Sequence, residues 1–385
     1  MPNSSDELPS IYSNYTIHLY CTIIDNFGDI GVCWRLARQL ADEYGQTVNL
    51  WVDDWQATRR MIPDLPETPT EWMVEGVCVR AWAQAQVETD CTGDVLIEGF
   101  GCTLPDAVLA QLAQRKVKPA WINLEYFSAE LWVEGFHRQS GYDATVGTRR
   151  WFFFPGVHTH SGGMLRERDL LARRAVWQAD DHAQEFLIGL GIQIPATSPT
   201  LKVVCFAYAH APYEEWLTAL CQHSTQPVSL WLCGGYSQAA VLTLAPSLCA
   251  QVSVYSIPFV AQPEFDRLLW SADILFVRGE DSLVRALWSG KPFVWQIYPQ
   301  SEQAHYVKLQ AWLDFYTQGF PVALREAYQV LHAIWNGISQ QPMQSAWDQI
   351  MTEWVSWQHF SQLRCEQCAR ASDLAARLIG FVRAL

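Results

Sequence analysis

The sequence predicts an α/β protein with two domains, each a parallel sheet flanked by helices. Short apolar, β-branched runs alternate with amphipathic helical stretches, which is the pattern of such sheets. The alternation stops at Gly191–Thr200, a stretch with two prolines, and then restarts. A chain of 385 residues is also long for a single core. We therefore expect two nucleotide-binding-type sheets with a ligand cleft between them, followed by a helical tail.

The first strand and the loop after it are the most informative stretch. Ile17–Ile24 reads as a buried parallel strand, and a helix with apolar residues every three or four positions follows the loop. That loop holds two carboxylates, Asp25 and Asp29, where such folds place ligands. Capping of the helix would account for Asp29 equally well.

The rest of the first half continues the alternation. Between Gly135 and Arg150 the periodicity is lost, which predicts a long functional loop. We assign residues 1–190 to the first domain. Its further strands are predicted at Thr47–Val52, Val77–Trp82, Asp94–Glu98, Pro119–Leu124 and Trp151–Phe154.

The second half repeats the pattern and then becomes helical. We assign residues 200–364 to the second domain and expect a last helix, at about 365–385, to pack back on the first. Single helices are predicted at Ser345–Gln362 and Cys365–Arg383. The predicted strands are Leu201–Tyr208, Val228–Cys233, Val252–Ile257, Ile274–Val277 and Pro292–Ile297.

Composition excludes several function classes. The net charge of −14 argues against a nucleic-acid partner, which would need a basic face. The sequence contains no run of about 18 apolar residues, so no membrane span is predicted. Eleven scattered cysteines indicate reduced thiols of a cytoplasmic protein, and the lone Cys365–Cys368 pair does not predict zinc.

A second strand end, Arg278 to Ser282, carries the other predicted site. The N-terminus of the following helix, with Arg278 and the Ser282 hydroxyl, could cradle a diphosphate, and Glu280 and Asp281 could meet sugar hydroxyls. A solvated acidic turn with an N-cap would explain the same residues. Aromatic and amide side chains that could bind a nucleobase follow two other strands, namely Phe206, Tyr208, Phe259 and Gln262.

Absent motifs narrow the chemistry. The sequence has no P-loop, no G-x-G-x-x-G after the first strand, no G-x-S-x-G and no Asp-x-Asp metal motif. These absences favour a metal-independent reaction, with no cofactor, on a phosphorylated donor. A bilobed binding protein or a two-domain dehydrogenase would show a similar pattern of elements.

Two long motifs resemble one family, the bacterial EarP protein-arginine rhamnosyltransferases. They are DNFGDIGVCWRLARQLA near the N-terminus and ILFVRGEDSLVRALWSGKPFVWQIYPQ in the second half. The shorter pieces LIEGFGC, INLEYFS, FFFPG and SGGMLRE resemble that family as well. The resemblance covers nearly the whole chain.

The resemblance implies a GT-B fold, with two Rossmann-like domains facing a cleft. It implies inverting transfer of L-rhamnose from dTDP-β-L-rhamnose to an arginine of elongation factor P. It also implies essential carboxylates at Asp29, with Asp25 beside it, and at Glu280. Donor contacts carry over to Arg278, Asp281, Ser282, Phe259, Gln262, Phe206 and Tyr208. The alternatives are a GT-B enzyme acting on a carbohydrate or small molecule, and a non-catalytic nucleotide-sugar-binding protein.

Overall fold

Most of the chain is described by the structure, a computed structural model. The predicted catalytic residue Asp25 and four residues of the predicted linker, 195–198, lie outside the described residues. The described residues are 14–24, 27–69, 71–86, 88, 90–179, 182–194, 199–223, 226–244, 248–299 and 304–385.

The chain divides into two compact units that do not follow the predicted boundary. The first unit comprises Met1–Glu125, Arg138–Phe153 and Ala375–Leu385, and the second comprises Tyr126–His137 and Phe154–Leu374. Residues 154–190, predicted in the first domain, therefore belong to the second unit. The boundary was predicted from local prolines and glycines, whereas the two units are defined by contacts between residues distant in sequence.

The first unit holds a sheet of eight described strands in the order β3-β4-β2-β1-β5-β6-β8-β7. Neighbours from β4 to β8 pair in parallel, and β3 and β7 join the two edges antiparallel. The strands are β1 (Thr16–Cys21), β2 (Thr47–Val52), β3 (Trp72–Val74), β4 (Val77–Ala81), β5 (Val95–Gly99), β6 (Ala120–Leu124), β7 (Ser140–Asp143) and β8 (Thr148–Phe153).

The prediction of a long loop at Gly135–Arg150 is wrong. The segment contains β7, which forms an antiparallel hairpin with β8. Their pairing runs from Ser140 opposite Trp151 to Asp143 opposite Thr148. This edge strand is polar and partly exposed, with the sequence SGYD, so it lacks the apolar alternation that predicts a strand.

The second unit holds a five-stranded, fully parallel sheet in the order β11-β10-β9-β12-β13. Its inner strands are buried on both faces, which explains their continuous apolar sequences. The strands are β9 (Leu201–Cys205), β10 (Val228–Cys233), β11 (Val252–Ile257), β12 (Ile274–Arg278) and β13 (Phe293–Gln296).

Helices follow most strands and form the C-terminal region. Helices α1 to α3 and α15 fall mainly in the first unit, and α4 to α14 in the second. They are α1 (Gly28–Tyr44), α2 (Trp55–Met61), α3 (Asp106–Gln114), α4 (Trp132–Phe136), α5 (Leu170–Ala179), α6 (His182–Gly189), α7 (Tyr213–His223), α8 (Tyr236–Leu244), α9 (Gln262–Ser271), α10 (Gly279–Ser289), α11 (Ala304–Tyr316), α12 (Val322–Trp335), α13 (Met343–Thr352), α14 (Trp354–Ala369) and α15 (Leu374–Ala384); Trp82–Gln86 forms a 3₁₀ turn.

Two predicted C-terminal helices are each interrupted. Ser345–Gln362 is divided at Glu353 between α13 and α14, and Cys365–Arg383 breaks after Ala369 before α15 begins. Residues of α15 pack on the first sheet, where the Phe381 ring lies 5.5 Å from that of Trp151.

Burial is extensive in both units. Ten tryptophan side chains are less than 2% exposed, so they fill the cores. All eleven cysteines are free thiols, as predicted. Among the helices of the described ranges, none has the length and apolarity needed to cross a bilayer.

Candidate active site

In the first unit, Asp29 lies at the carboxyl edge of the sheet, in the first turn of α1. Its side chain is only 2% exposed, and its Oδ2 accepts a hydrogen bond from the Ile24 amide at 2.8 Å. The residue before the helix is Phe27, so Asp29 does not occupy the N-cap position of the alternative reading. The carboxylate is thus held in place immediately after the central strand β1.

A second carboxylate fixes the same loop. Asp53, just after β2, accepts a hydrogen bond from the Ile23 amide at 3.0 Å. Two successive amides of the loop after β1 are therefore bound by carboxylates, one from α1 and one from the end of the adjacent strand. Such anchoring lets Asp29 act from a defined position.

The neighbouring strand end must approach β1 closely. A Cβ built on Gly99, at the end of β5, would lie 2.9 Å from the Cys33 sulfur and 2.9 Å from the Tyr20 carbonyl oxygen. Only glycine leaves room for α1 to pack over this edge. In the same strand, burial raises the pKa of Glu98 to about 7, and Arg150, 3.3 Å away, opposes that shift.

In the second unit, Arg278 ends β12 and precedes α10. The turn depends on Gly279, whose φ of +64° lies in the left-handed region. The guanidinium carbon lies 4.4 Å from the ring centre of Phe206 and 4.6 Å from that of Tyr208. A third ring, from Tyr236 at the start of α8, is 5.4 Å away.

One donor of Arg278 remains available for a ligand. Its Nη1 atom is buried and has no hydrogen-bond partner among the described residues. A buried guanidinium nitrogen without a partner is costly unless an acceptor binds to it. The arrangement of one cation, three aromatic faces and a helix N-terminus suits an anion that carries a flat ring.

Ser282 and Asp281, the other two predicted donor contacts of this stretch, differ in what they touch. The Ser282 hydroxyl bonds the Arg278 backbone, accepting from its amide at 3.1 Å and donating to its carbonyl. Ser282 thus shapes the strand-to-helix turn. Asp281 is half-buried in the first turn of α10, and its charge helps to raise the pKa of Arg285.

Glu280 makes two strong contacts within the second unit. Its Oε1 lies 2.5 Å from the Lys308 ammonium, and its Oε2 accepts a hydrogen bond from the Phe127 amide at 2.8 Å. Lys308 belongs to α11, and Phe127 follows the crossing of the chain from β6 into this unit. Neither contact was predicted from the sequence, because nothing local links these residues to Glu280.

The predicted base-binding residues are placed in two groups. Tyr208 lies beside Arg278, and its amide donates to the Gln296 side chain at 2.6 Å. Its ring stacks on His210, whose pKa burial lowers. Phe259 is 52% exposed after β11, and Gln262 is buried at the start of α9.

A buried ion pair joins the helices that carry these residues. Arg285 of α10 contacts Asp266 of α9 at 2.6 Å and Glu167 at 2.7 Å. Burial alone would lower the pKa of Arg285, but the two carboxylates raise it above its ordinary value. The start of α9, with Gln262, is thereby fixed relative to α10.

The structure thus brings Arg278, Phe206 and Tyr208 into one cluster and places Glu280 on the same helix start. Asp29 belongs to the other unit. Sequence reasoning missed Lys308 and Tyr236, and it gave Gln296 no role beyond its place in a predicted strand. Across the described ranges no three His, Cys, Asp or Glu side chains lie close enough to hold a metal.

The fold is that of the GT-B class of glycosyltransferases. A solved MurG from Acinetobacter baumannii matches 97% of the chain and all of its own length with a TM-score of 0.52. Its identity of 11% makes it a likeness of fold alone. The predicted fold class is thereby confirmed.

The chain belongs to the EarP family. The family model described as elongation factor P (EF-P) rhamnosyltransferase EarP matches residues 17–383. A protein-arginine rhamnosyltransferase of Pseudomonas aeruginosa is 39% identical over 94% of this chain and 97% of its own, and one of Pseudomonas putida is 40% identical over 96% and 98%. A solved structure described as the basis for EarP-mediated arginine glycosylation of translation elongation factor EF-P matches with a TM-score of 0.69 at 31% identity, over 96% of this chain and 99% of that one. The predicted family is confirmed.

Proposed function

We propose that this protein transfers L-rhamnose from dTDP-β-L-rhamnose to an arginine side chain of elongation factor P. The transfer inverts the anomeric centre and needs no metal ion. The observation that carries the donor assignment is Arg278, a cation among three aromatic rings with one buried nitrogen that finds no partner in the described part of the chain. Membership of the EarP family supports the sugar and the acceptor.

In this proposal the second unit binds the donor. Arg278 and the N-terminus of α10 receive the diphosphate and stabilise the charge that develops on it as it leaves. The rings of Phe206 and Tyr208, which lie against the Arg278 guanidinium, support contacts with the thymine or the diphosphate. Glu280 accepts hydrogen bonds from hydroxyl groups of the sugar, because it lies two residues after Arg278 on the same helix start.

The acceptor arginine is a poor nucleophile because its guanidinium is protonated. Complete deprotonation at neutral pH would cost about 7 kcal/mol, at about 1.36 kcal/mol per pKa unit from a pKa near 12.5. A carboxylate cannot supply that in advance of the reaction. It can pair with the cation, direct one nitrogen at the anomeric carbon and take a proton as the bond forms.

We assign this role to Asp29. Its carboxylate is buried and anchored at the carboxyl edge of the first sheet. In a single displacement, the new C–N bond forms as the C–O bond to dTDP breaks, and the guanidinium proton passes to Asp29. The configuration at the anomeric carbon inverts because the nucleophile enters opposite the leaving group.

Asp29→Asn tests the assignment. Asparagine keeps an oxygen that can accept from the Ile24 amide but removes the charge, so the loop should hold while transfer is lost. Intact mass spectrometry of elongation factor P after incubation with dTDP-rhamnose measures transfer, and calorimetry measures donor binding. We expect no modification and near-normal donor affinity.

The matched control is Asp106→Asn, which removes an exposed carboxylate from the first turn of α3 in the same unit. It should retain normal transfer. Normal modification of elongation factor P by Asp29→Asn would overturn the role of Asp29. Rhamnose transfer to free sugars but not to elongation factor P would overturn the acceptor assignment.

A further inference from the structure

The ion pair between Glu280 and Lys308 is unusually well enclosed for a lysine pair near a ligand site. The two side chains are 19% and 14% exposed, and their charged atoms are 2.5 Å apart. Exposed pairs of this kind contribute little because water and salt screen them. An enclosed pair differs, since removing one partner leaves the other charge without compensation.

Aromatic side chains also pack around Lys308. Its ammonium lies 5.8 Å from the ring centre of Tyr126, and Trp312, one turn later on α11, packs edge-on against Phe127 at 5.9 Å. The segment that donates its amide to Glu280 is therefore held against the helix that carries the lysine. The two oxygens of Glu280 are bound by two elements that support each other.

These contacts restrict how Glu280 can be oriented. A glutamate side chain has three rotatable bonds, and binding both oxygens removes most of that freedom. Each carboxylate oxygen can accept more than one hydrogen bond, so one already held by Lys308 or Phe127 can still receive a sugar hydroxyl. The position of the Glu280 carboxylate is thus set by Lys308 and the Phe127 amide.

We infer that Lys308 is a positioning residue for rhamnosyl transfer, holding the Glu280 carboxylate in the orientation that receives the donor sugar. This inference rests on the proposed function, in which Glu280 binds that sugar. Lys308 acts through Glu280 and needs no contact with the donor. Its loss should therefore impair the reaction only as far as Glu280 contributes to it.

A double-mutant cycle tests this dependence. The variants are Lys308→Met, Glu280→Gln and the pair together, with kcat and the KM for dTDP-rhamnose measured on elongation factor P. We expect Lys308→Met to lower kcat/KM by about tenfold to a hundredfold, the range that follows a displacement of about 1 Å. The double variant should be no worse than Glu280→Gln alone, because both changes remove one function.

Two further variants separate positioning from general stability. Lys308→Arg keeps the positive charge but places it on a planar guanidinium, and its kcat/KM should lie between those of wild type and Lys308→Met. Lys202→Met removes another lysine of the same unit, 4.0 Å from Asp273, and should leave the kinetics unchanged. Thermal unfolding monitors the fold, and Lys308→Gln, whose amide can still donate to Glu280, replaces the methionine variant if that one does not fold.

The outcomes are distinguishable. If Glu280→Gln is fully active, the role given to Glu280 in the proposed function is wrong. If Glu280→Gln is impaired but the Lys308 variants show wild-type kinetics, or the two losses multiply in the double variant, only the inference about Lys308 is overturned. Equal kinetics for Lys308→Arg and Lys308→Met would also overturn it.

Discussion

Acid should weaken the second unit through one buried histidine, His332 of α12. Its Nε2 accepts from the Trp295 amide at 3.0 Å, and its Nδ1 lies 2.9 Å from the Tyr328 carbonyl oxygen. Both contacts fit the neutral ring, with the proton on Nδ1. Burial lowers the pKa of His332 from 6.5 to about 3.

The sign of the pH effect follows from proton uptake. Between about pH 3 and pH 6.5 the unfolded chain binds a proton at His332 that the folded chain does not. Folding is therefore penalised as the pH falls through this window. From pH 7.5 to pH 5 the loss is about 2 kcal/mol of unfolding free energy, at about 1.36 kcal/mol per pH unit below 6.5.

The affected strand β13 supports the proposed donor site. The indole nitrogen of Trp295 donates to the Gly279 carbonyl at 2.7 Å, and Gln296, the next residue, accepts from the Tyr208 amide. Loosening β13 near His332 should therefore disturb Gly279 and Tyr208. We expect weaker dTDP binding at pH 5 together with the loss of stability.

The variant His332→Gln isolates the contribution of His332 to the loss of unfolding free energy in acid. The glutamine oxygen can accept from the Trp295 amide but does not titrate. Urea unfolding of both proteins at pH 5 and pH 7.5 gives the difference between them at each pH, in which shared titrating groups cancel. The variant should start less stable and lose about 2 kcal/mol less than wild type on acidification.

Exposed His359, on α14, provides the control, and His359→Gln should leave the pH dependence unchanged. The reasoning is refuted if wild type and His332→Gln lose equal stability between pH 7.5 and pH 5. It is also refuted if the wild type gains stability over that range while the variant does not.

Three further predictions concern charged groups. Burial raises the folded pKa of Glu98 to about 7, so the folded chain holds a proton there that the unfolded chain loses, and the unfolding free energy falls as the pH rises from about 4.5 to 7. Glu98→Gln should remove this fall; urea titrations at both pH values check it, and an equal change in unfolding free energy for variant and wild type would contradict it. Arg278→Met should weaken dTDP binding roughly tenfold to a hundredfold, the loss of about 1.5–3 kcal/mol in a charge-assisted hydrogen bond, and calorimetry showing unchanged affinity would refute the donor site. Arg285→Met should destabilise the protein by about 3–5 kcal/mol because it removes the buried cation that pairs with Asp266 and Glu167; adding Asp266→Leu should restore part of the loss in denaturant titrations, and no restoration would count against the buried pair.

Strand positions could be read from the sequence wherever the strand is buried. Thr47–Val52 and Val228–Cys233, both largely buried, have the predicted bounds, since short β-branched runs in an α/β pattern have few other uses. The edge strands β3 and β7 were missed. Both are largely exposed, so no burial requirement shapes their sequences.

The predicted site positions lie where strands end and helices begin, which is a local property of the sequence. Asp29 lies in the first turn of the helix that follows β1, and Arg278 ends β12, so both belong to strand-to-helix connections, where such folds bind ligands. What holds them was not predictable. Lys308 reaches Glu280 from 28 positions later, and only the packing of α11 brings the two together.

The unit boundary was not predictable from a linker signal, and its real form has a practical consequence. The chain passes from one unit to the other after Glu125, His137, Phe153 and Leu374. Neither unit can be cut from the gene as one continuous piece. To replace the second unit by that of a relative, and so to test whether it selects the nucleotide sugar, the short 126–137 insert must be exchanged together with 154–374. Otherwise the Phe127 amide that Glu280 accepts from would belong to a different protein from Glu280 itself.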